Sequence, residues 1–174
     1  MLSRFHELVE EHQHRVFGFA AYYLRSQEEA EDVTQEVLLR LWRNIERVEP
    51  EKAGAWLTRV TRNACFDCLR SRRSRGRVFQ AGLDTEAFEA ADGGDSPEAA
   101  LAAQDLDRLL KQAVAALDEP YRSIALLREV QGQSYQEIAD ALELPLNTVK
   151  TYLHRARRRL RDHLREVHSY AQTA

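Results

Sequence analysis

The sequence predicts an all-α protein of two small helical domains joined by a flexible acidic linker, the C-terminal domain being a helix-turn-helix unit. Apolar residues recur every three or four positions over most of the chain, which is typical of amphipathic helices, and no stretch alternates as a strand would. This periodicity stops in residues 74–97, which hold four of the seven glycines and end in a Ser-Pro-Glu helix start. We therefore place the domains at 1–73 and 98–170, with 74–97 as the linker.

The N-terminal domain is predicted to contain three helices. The first has one apolar face over residues 5–24. Ser26 and Glu29 have the spacing of a capping box, in which each side chain binds the backbone N–H of the other residue, and they start the second helix. Pro50 ends that helix, and a third follows it. The apolar positions of the second and third helices are Ala30, Val33, Val37, Leu38, Leu41, Trp42, Ile45, Leu57, Val60, Ala64 and Cys68.

The C-terminal domain is predicted to end in a helix-turn-helix. Ser134 and Glu137 form a second capping box, which opens a short helix, and a break at 143–145 separates it from a longer basic helix. Ahead of this unit we expect one helix with its apolar face in 106–117 and another over 118–129. The predicted inward positions are Leu106, Leu109, Leu110, Val114, Leu117, Ile138, Ala139, Leu142, Val149, Leu153 and Leu160.

The outer face of the longer basic helix combines short polar and long basic side chains. Such a face suits a helix in the major groove of duplex DNA, where base edges present distinct donors and acceptors. For the charge run alone, a solvated Arg-rich surface is the alternative, but the capping box, the turn and the inward apolar set favour DNA binding. The predicted groove-facing residues are Asn147, Thr148, Lys150, Thr151, His154, Arg155 and Arg158, and the predicted phosphate contacts are Arg157, Arg159 and Arg161.

Charge is strongly segregated, although the net charge is only −3. Residues 70–77 carry five Arg and no acid, residues 78–107 carry eight acids and no Lys or Arg, and residues 150–174 carry seven basic and two acidic groups. Two basic patches separated by an acidic segment predict two contacts with polyanions. No apolar run approaches the roughly 20 residues of a membrane span, and the N-terminus does not have the pattern of a secretory signal. We therefore expect a cytoplasmic protein without membrane insertion.

The whole chain resembles one family. The motifs AEDVTQEVLLRLW (30–42) and AWLTRVTRNACFDCLRSRRSR (55–75) closely resemble the promoter-melting domain of extracytoplasmic-function (ECF) sigma factors of bacterial RNA polymerase. The motif SYQEIADALELPLNTVKTYLHRARRRL (134–160) resembles their promoter-reading domain. The chain departs from the family at Glu143, where relatives often carry Gly in the turn. A left-handed backbone there would cost about 1 kcal/mol, so either the turn differs slightly or the strain is tolerated.

The resemblance implies a dissociable promoter-specificity subunit, not an enzyme, with no cofactor. Its partners would be core RNA polymerase, gripped through its largest subunits, and promoter DNA in duplex and single-stranded form. Most relatives are held inactive by an anti-sigma factor, so such a partner is also expected. In the family the second helix binds polymerase, which assigns that role to Asp32, Gln35 and Glu36; ordinary surface acids are the alternative reading of these three residues.

The resemblance also implies a site for the −10 strand of the promoter. In the family the loop between the second and third helices, here residues 43–53, captures a base flipped from the −10 element, and the third helix follows the single strand. Trp56 is expected to pack in the core rather than to stack on a base. The residues implied are Arg43, Asn44 and Arg47 in the loop, and Arg59, Arg62, Asn63, Arg70, Arg72, Arg73 and Arg75 on or after the third helix.

Two segments keep more than one interpretation. The acidic linker can act as a phosphate mimic in the channel that RNA later occupies, or as a solvated tether. Cys65 and Cys68, three residues apart, can form a redox pair or part of a metal site, but no second Cys/His cluster supplies four ligands. We expect no metal site, a buried Cys68 and a partly exposed Cys65.

Two other functions compete with the sigma-factor interpretation. A stand-alone helix-turn-helix regulator would bind an operator without polymerase, and would leave the N-terminal motifs unexplained. A thiol-based sensor would use the two cysteines. The sequence identifies neither the promoter, nor the inducing signal, nor a particular anti-sigma factor.

Overall fold

The structure of the chain, a computed structural model, describes residues 1–74 and 97–173, and in these ranges all regular secondary structure is helical. A 3₁₀ turn at Pro50–Lys52 precedes the third helix, and a π-helical segment at Leu126–Val130 follows the fifth. The all-α fold class is confirmed, whereas the predicted flexible linker lies almost wholly outside the described residues. The helices are α1 (Leu2–Leu24), α2 (Gln27–Asn44), α3 (Ala53–Ser74), α4 (Pro97–Ala115), α5 (Tyr121–Ala125), α6 (Tyr135–Leu142) and α7 (Leu146–Thr173).

The junction between α1 and α2 is sharp. Arg25 ends α1 in the left-handed region, with φ 56°, and Ser26 then caps α2 by accepting a hydrogen bond from the Glu29 backbone N–H at 3.3 Å. The other half of the predicted capping box differs. The Glu29 carboxylate accepts a hydrogen bond from Arg72 Nε of α3 at 2.7 Å, so it fastens the end of α3 to the start of α2.

Helices α1, α2 and α3 pack around one apolar core. The predicted apolar faces are mostly confirmed, but the inward placement predicted for Trp42 is wrong. Trp42 is 39% exposed, and its ring meets Phe5 edge to face at 5.2 Å between centroids. Trp42 lies at the edge of the α2 stripe, so α1 covers only one side of it. The buried residues of this core are Leu8, Val16, Phe19, Ala20, Tyr23, Leu24, Ala30, Val33, Val37, Leu41, Ile45, Val48, Ala53, Leu57, Ala64 and Cys65.

The two cysteines are placed opposite to expectation. Cys65 is fully buried and Cys68 is half-buried. The reason is tertiary: Leu57, Thr61 and Cys65 share one face of α3 at steps of four residues, and all three are buried. Arg122 and Glu119 of the C-terminal domain both act on the pKa of Cys65, and α3 contacts α6 of that domain, so the C-terminal domain lies close to this part of α3.

The C-terminal domain contains the predicted helix-turn-helix. Ser134 and Glu137 form a complete capping box, with Ser134 N–H donating to the Glu137 carboxylate at 2.7 Å and Glu137 N–H donating to Ser134 Oγ at 3.2 Å. Glu143 has φ 54° and ψ 43°, so the turn keeps its left-handed backbone and tolerates the strain. The inward anchors Ile138, Ala139, Val149, Leu153 and Leu160 are buried.

Two details of the helices before the turn differ from prediction. Leu106 on α4 is 66% exposed, although it was expected to face inward. The helix expected over 118–129 begins as an α-helix only at Tyr121 and widens to π-helical geometry at Leu126–Val130. Leu126 and Leu127 are both fully buried there.

Candidate promoter and polymerase interfaces

The exposed face of α7 is the candidate duplex-reading surface. Val149 and Leu153 are buried beneath it and fix its orientation on the domain. Thr151 Oγ1 donates to the Asn147 carbonyl at 2.9 Å, so this hydroxyl returns to its own helix. Of the predicted residues, Asn147, Lys150, Thr151, His154, Arg155 and Arg158 are exposed and Thr148 is half-buried.

The basic side chains of α7 fall into two groups. Arg157 Nε donates to Glu129 at 2.7 Å, and the Arg159 guanidinium lies 4.3 Å from the Tyr121 ring centroid and 3.7 Å from Asp118. Lys150, Arg155 and Arg158 make no ion pair with any residue that the structure describes. These three cations, together with Arg161 and Arg165, which are exposed farther along α7 and also make no ion pair with a described residue, are available to phosphate or base edges without breaking an intramolecular contact.

The outer face of α2 is the candidate polymerase surface. Asp32, Gln35 and Glu36 are all exposed on it. Leu39 and Trp42 extend this face by one and two further turns, and they are 55% and 39% exposed. Sequence reasoning missed Leu39, although its position was informative: it lies midway between the buried Val37 and Leu41, and so on the opposite side of the helix.

Two exposed cations lie where α2 ends: Arg47 is in the loop between α2 and α3, whereas Arg43, predicted in the loop with Asn44, belongs with Asn44 to the last turn of α2. Arg43 and Arg47 are exposed, whereas Asn44 Nδ2 donates to the Arg40 carbonyl at 2.8 Å. Val48 is buried, and its carbonyl accepts a hydrogen bond from Arg4 of α1. The loop is thus anchored at Val48 while Arg43 and Arg47 remain accessible.

The predicted residues of α3 do not form one continuous surface. Asn63 and Arg70 are exposed, Arg70 lying 3.7 Å from Asp67. Arg59 and Arg62 instead contact the C-terminal domain: Arg59 pairs with Glu143, and Arg62 pairs with Glu119.

Arg72 is part of the internal packing of the N-terminal domain. Besides its bond to Glu29, it donates to the Leu24 carbonyl at 3.2 Å, and its side chain is only 12% exposed. Burial lowers the pKa of Arg72, and Arg122 acts in the same direction. Its geometry fits a structural ion pair that joins the three helices. The side chain of Arg73 and the whole of Arg75 lie outside the described residues.

Burial makes Cys65 poorly suited to thiol chemistry. Burial raises the pKa of the Cys65 thiol well above its usual range, with Cys68 acting in the same direction, so little thiolate is present near neutral pH. Within residues 1–74 and 97–173, no group of three or more His, Cys, Asp or Glu side chains is placed to hold a metal ion.

Fold and surfaces together define a class of protein: a helix-turn-helix protein with a basic recognition helix and a second helical domain, in which the outer face of α2 is acidic and apolar. Comparisons agree with this class. The family model for Sigma-70 region 2 matches residues 8–75, and the model for Sigma-70 region 4 matches residues 107–160. One match falls on each domain, and region 4 contains the helix-turn-helix.

Relatives narrow the class to one family. The chain is 35% identical to ECF RNA polymerase sigma factor SigE of Mycolicibacterium smegmatis over 91% of its length, and spans 60% of that relative. It is 30% identical to the ECF RNA polymerase sigma-E factor of Haemophilus influenzae, covering 88% of this chain and 83% of the relative. The chain belongs to the ECF family of RNA polymerase sigma factors, which are transcription regulators rather than enzymes.

A solved structure has the same fold. The sigma factor RpoE of Bartonella quintana, solved in complex with the anti-sigma factor NepR, matches with a TM-score of 0.70 at 24% identity, over 92% of this chain and 96% of that chain. No helix within the described part of this chain is both long and apolar enough to cross a membrane.

Proposed function

We propose that this chain binds core RNA polymerase and directs promoter-specific initiation by reading a −35 element as duplex and capturing the −10 element as a single strand. The main observation behind the proposal is that the two domains expose different kinds of surface. The C-terminal domain exposes a basic helix suited to a groove, and the N-terminal domain exposes an acidic and apolar helix face together with separate cations. We propose that the chain acts in the bacterial cytoplasm, where RNA polymerase and the chromosome are found.

The −35 contact rests on α7. Its N-terminal half is exposed where a recognition helix enters the major groove, and the helix is held from below by buried apolar residues. Lys150 and His154 lie one turn apart and are suited to base edges, while Arg155 and Arg158 are suited to phosphates. Arg157 and Arg159 serve mainly to fasten α7 to the rest of its domain, because each has an internal partner.

The −10 contact rests on the last turn of α2, on the loop after it and on α3. Arg43 and Arg47 are accessible for stacking or hydrogen bonding to an extruded base. Asn63 and Arg70 are exposed along α3 and can follow the strand. We assign Arg59 and Arg62 of the same helix to the strand as well, once their contacts with the C-terminal domain are released. Arg72 supports this surface by holding α3 in place rather than by touching DNA.

The polymerase contact rests on the exposed face of α2. Asp32 and Glu36 supply charge on adjacent turns. Leu39 and Trp42 supply apolar area beside them, and exposed large apolar residues in a contiguous group are typical of protein interaction sites. An apolar centre with a charged rim is the usual composition of a protein–protein interface.

An anti-sigma factor is the third proposed partner. The RpoE match was solved with the anti-sigma factor NepR, and a second match, CnrH, was solved with the cytosolic domain of CnrY. We extend that type of partner to this chain on the basis of family membership.

Transcription with purified core polymerase tests the proposal. The chain should co-elute with the core enzyme and allow it to start transcripts from genomic fragments, and the start sites should share an upstream pair of short elements. A chain that ignores core polymerase yet binds duplex DNA alone at physiological salt would instead be a stand-alone regulator. Replacing both cysteines with Ser should leave initiation unchanged, whereas a thiol sensor would be disabled.

A further inference from the structure

The two domains meet across a polar cluster centred on Glu119, at the start of the C-terminal helix pair. One Glu119 oxygen accepts from Tyr23 Oη of α1 at 2.8 Å, and the carboxylate also accepts from Ser123 Oγ at 2.8 and 2.9 Å. Arg62 of α3 reaches the same carboxylate at 3.4 Å and donates through Nε to Ser123 Oγ at 3.0 Å. A single acid of one domain therefore binds two helices of the other.

Arg122 completes this cluster from the C-terminal side. Its guanidinium lies 4.2 Å from the Tyr23 ring centroid and donates to the Tyr23 carbonyl. Burial lowers the pKa of Arg122, while Tyr23 and Glu119 act in the opposite direction. A buried cation of this kind needs its aromatic and carboxylate partners, because a charge without them is costly in a low-dielectric setting.

A second ion pair closes the other end of the interface. Arg59 of α3 pairs with Glu143, the residue in the turn of the helix-turn-helix. Glu143 occupies a left-handed backbone, which is strained for a non-Gly residue. Gly would relieve this strain but would leave Arg59 without its carboxylate.

We propose that the free chain is held closed by Glu119 and Glu143, whose carboxylates occupy the guanidinium groups of Arg62 and Arg59 and so mask them from the −10 strand. This inference rests on the proposed function, which assigns both arginines to strand capture. The carboxylates take the place of DNA phosphates, since each offers oxygen acceptors to the same guanidinium donors. Strand binding and closure are therefore mutually exclusive at these two residues.

The closed arrangement must be weak enough to open on polymerase. Exposed ion pairs contribute little net stability, and Arg59 and Glu143 are both substantially exposed. If closure leaves about one molecule in ten open, the apparent affinity for the strand falls about tenfold. A partner that binds the open chain about tenfold more tightly than the closed chain would cancel this bias.

The test compares full-length variants by two measurements, the radius of gyration from small-angle scattering and the affinity for a labelled single-stranded oligonucleotide of mixed sequence. E119Q/E143Q should be more expanded than the parent and bind the strand about tenfold more tightly. D105N/D140N is the matched control: it removes two acids from the same domain, and the contacts of Asp105 and Asp140 are to Arg108 and Gln136 of their own helices. It should be neither expanded nor comparably tightened.

A third variant tests whether the increase in strand affinity comes from Arg59 and Arg62. Adding R59A/R62A to E119Q/E143Q should keep the chain expanded but remove the gain in affinity. E143Q alone changes an exposed side chain and should move both measurements in the same direction by a smaller amount, which guards against misfolding of the Glu119 variant.

Several results would overturn the proposal. Closure by these acids is wrong if E119Q/E143Q keeps the parent radius of gyration. Masking of the arginines is wrong if affinity does not rise beyond the D105N/D140N control, or if the gain survives R59A/R62A. The initiation assay with core polymerase judges the proposed function separately, because domain expansion needs neither polymerase nor a promoter.

Discussion

Arg25 and Glu143 are the two non-glycine residues with left-handed backbone in the described ranges, and each ends a helix where Gly is the usual choice. Glu143 gains a partner in Arg59, whereas the structure gives Arg25 no side-chain bond of that kind. Strain at a helix end is local, so its removal is measurable in one substitution.

We predict that R25G raises the free energy of unfolding by about 1 kcal/mol, because Gly adopts φ near 56° without a Cβ clash. R25A is the control, since it removes the same charge from the neighbourhood of Arg122 but keeps the Cβ. Urea denaturation checks both variants. An equal gain from R25A would mean that charge relief, rather than strain relief, is responsible.

His12 predicts a pH effect on stability. Burial lowers its pKa below the usual 6.5; Arg15 acts in the same direction, and Glu11 opposes it. Because the folded-state pKa is the lower one, the unfolded chain takes up the proton first, so stability is full above about pH 6.5 and falls as the pH drops toward the folded-state value.

The variant H12Q should flatten this component of the pH dependence, whatever its effect on absolute stability. H14Q, at an exposed position of the same helix, should leave the dependence unchanged. Denaturant unfolding between about pH 7.5 and about pH 5 measures this dependence, since that range includes the usual His pKa. An unchanged slope in H12Q would show that another group is responsible.

Helices α2 and α7 each present two different faces. The inward face of each is apolar and buried, and the outward face carries the groups proposed for polymerase or DNA. The packing of each helix thus decides which side chains a partner can reach.

We predict that L39A weakens binding to core polymerase about tenfold, equivalent to about 1.4 kcal/mol. Leu39 is 55% exposed, so the folded chain should lose little stability. L106A is the matched control, because Leu106 is a comparably exposed leucine on the other domain. Fluorescence anisotropy with labelled chain measures both, and equal losses would refute the assignment of the α2 face.

On α7 we predict that R158A weakens promoter-duplex binding more than R157A. Arg158 has no ion pair among the described residues, whereas Arg157 is bound to Glu129 and is less available to phosphate. The slope of log affinity against log salt should fall by about 1 in R158A. A larger effect of R157A would mean that the Glu129 pair breaks when DNA binds.

In the whole molecule, the features that follow from local sequence spacing were predicted correctly, whereas the burial and side-chain partners that depend on contacts between distant segments were not. The capping box at Ser134, the inward set of the helix-turn-helix and the all-α class follow from local spacing. The burial of Cys65 was not predicted, because it lies near Arg122 and Glu119 of the other domain. The role of Glu29 was not predicted, because its carboxylate binds Arg72, which is distant in the sequence. Trp42 was misjudged because periodicity does not tell how far the neighbouring helix extends.

The masking of Arg59 and Arg62 also depends on the contact between the two domains. Nothing within α3 indicates that these two residues face the other domain, since Asn63 and Arg70 on the same helix remain exposed. Only the folded arrangement separates the cations that are ready for DNA from those that must first be released.

To test whether the chain reads one promoter element as duplex and captures another as a single strand, we would footprint the polymerase complex on its mapped promoter, by nuclease protection and by permanganate reactivity of unstacked thymines. We predict protection of an upstream duplex element without reactive thymines, and reactive thymines confined to a separate downstream element. K150A/R158A should lose the upstream protection first. One continuous duplex footprint that forms without polymerase and contains no reactive thymines would contradict the account.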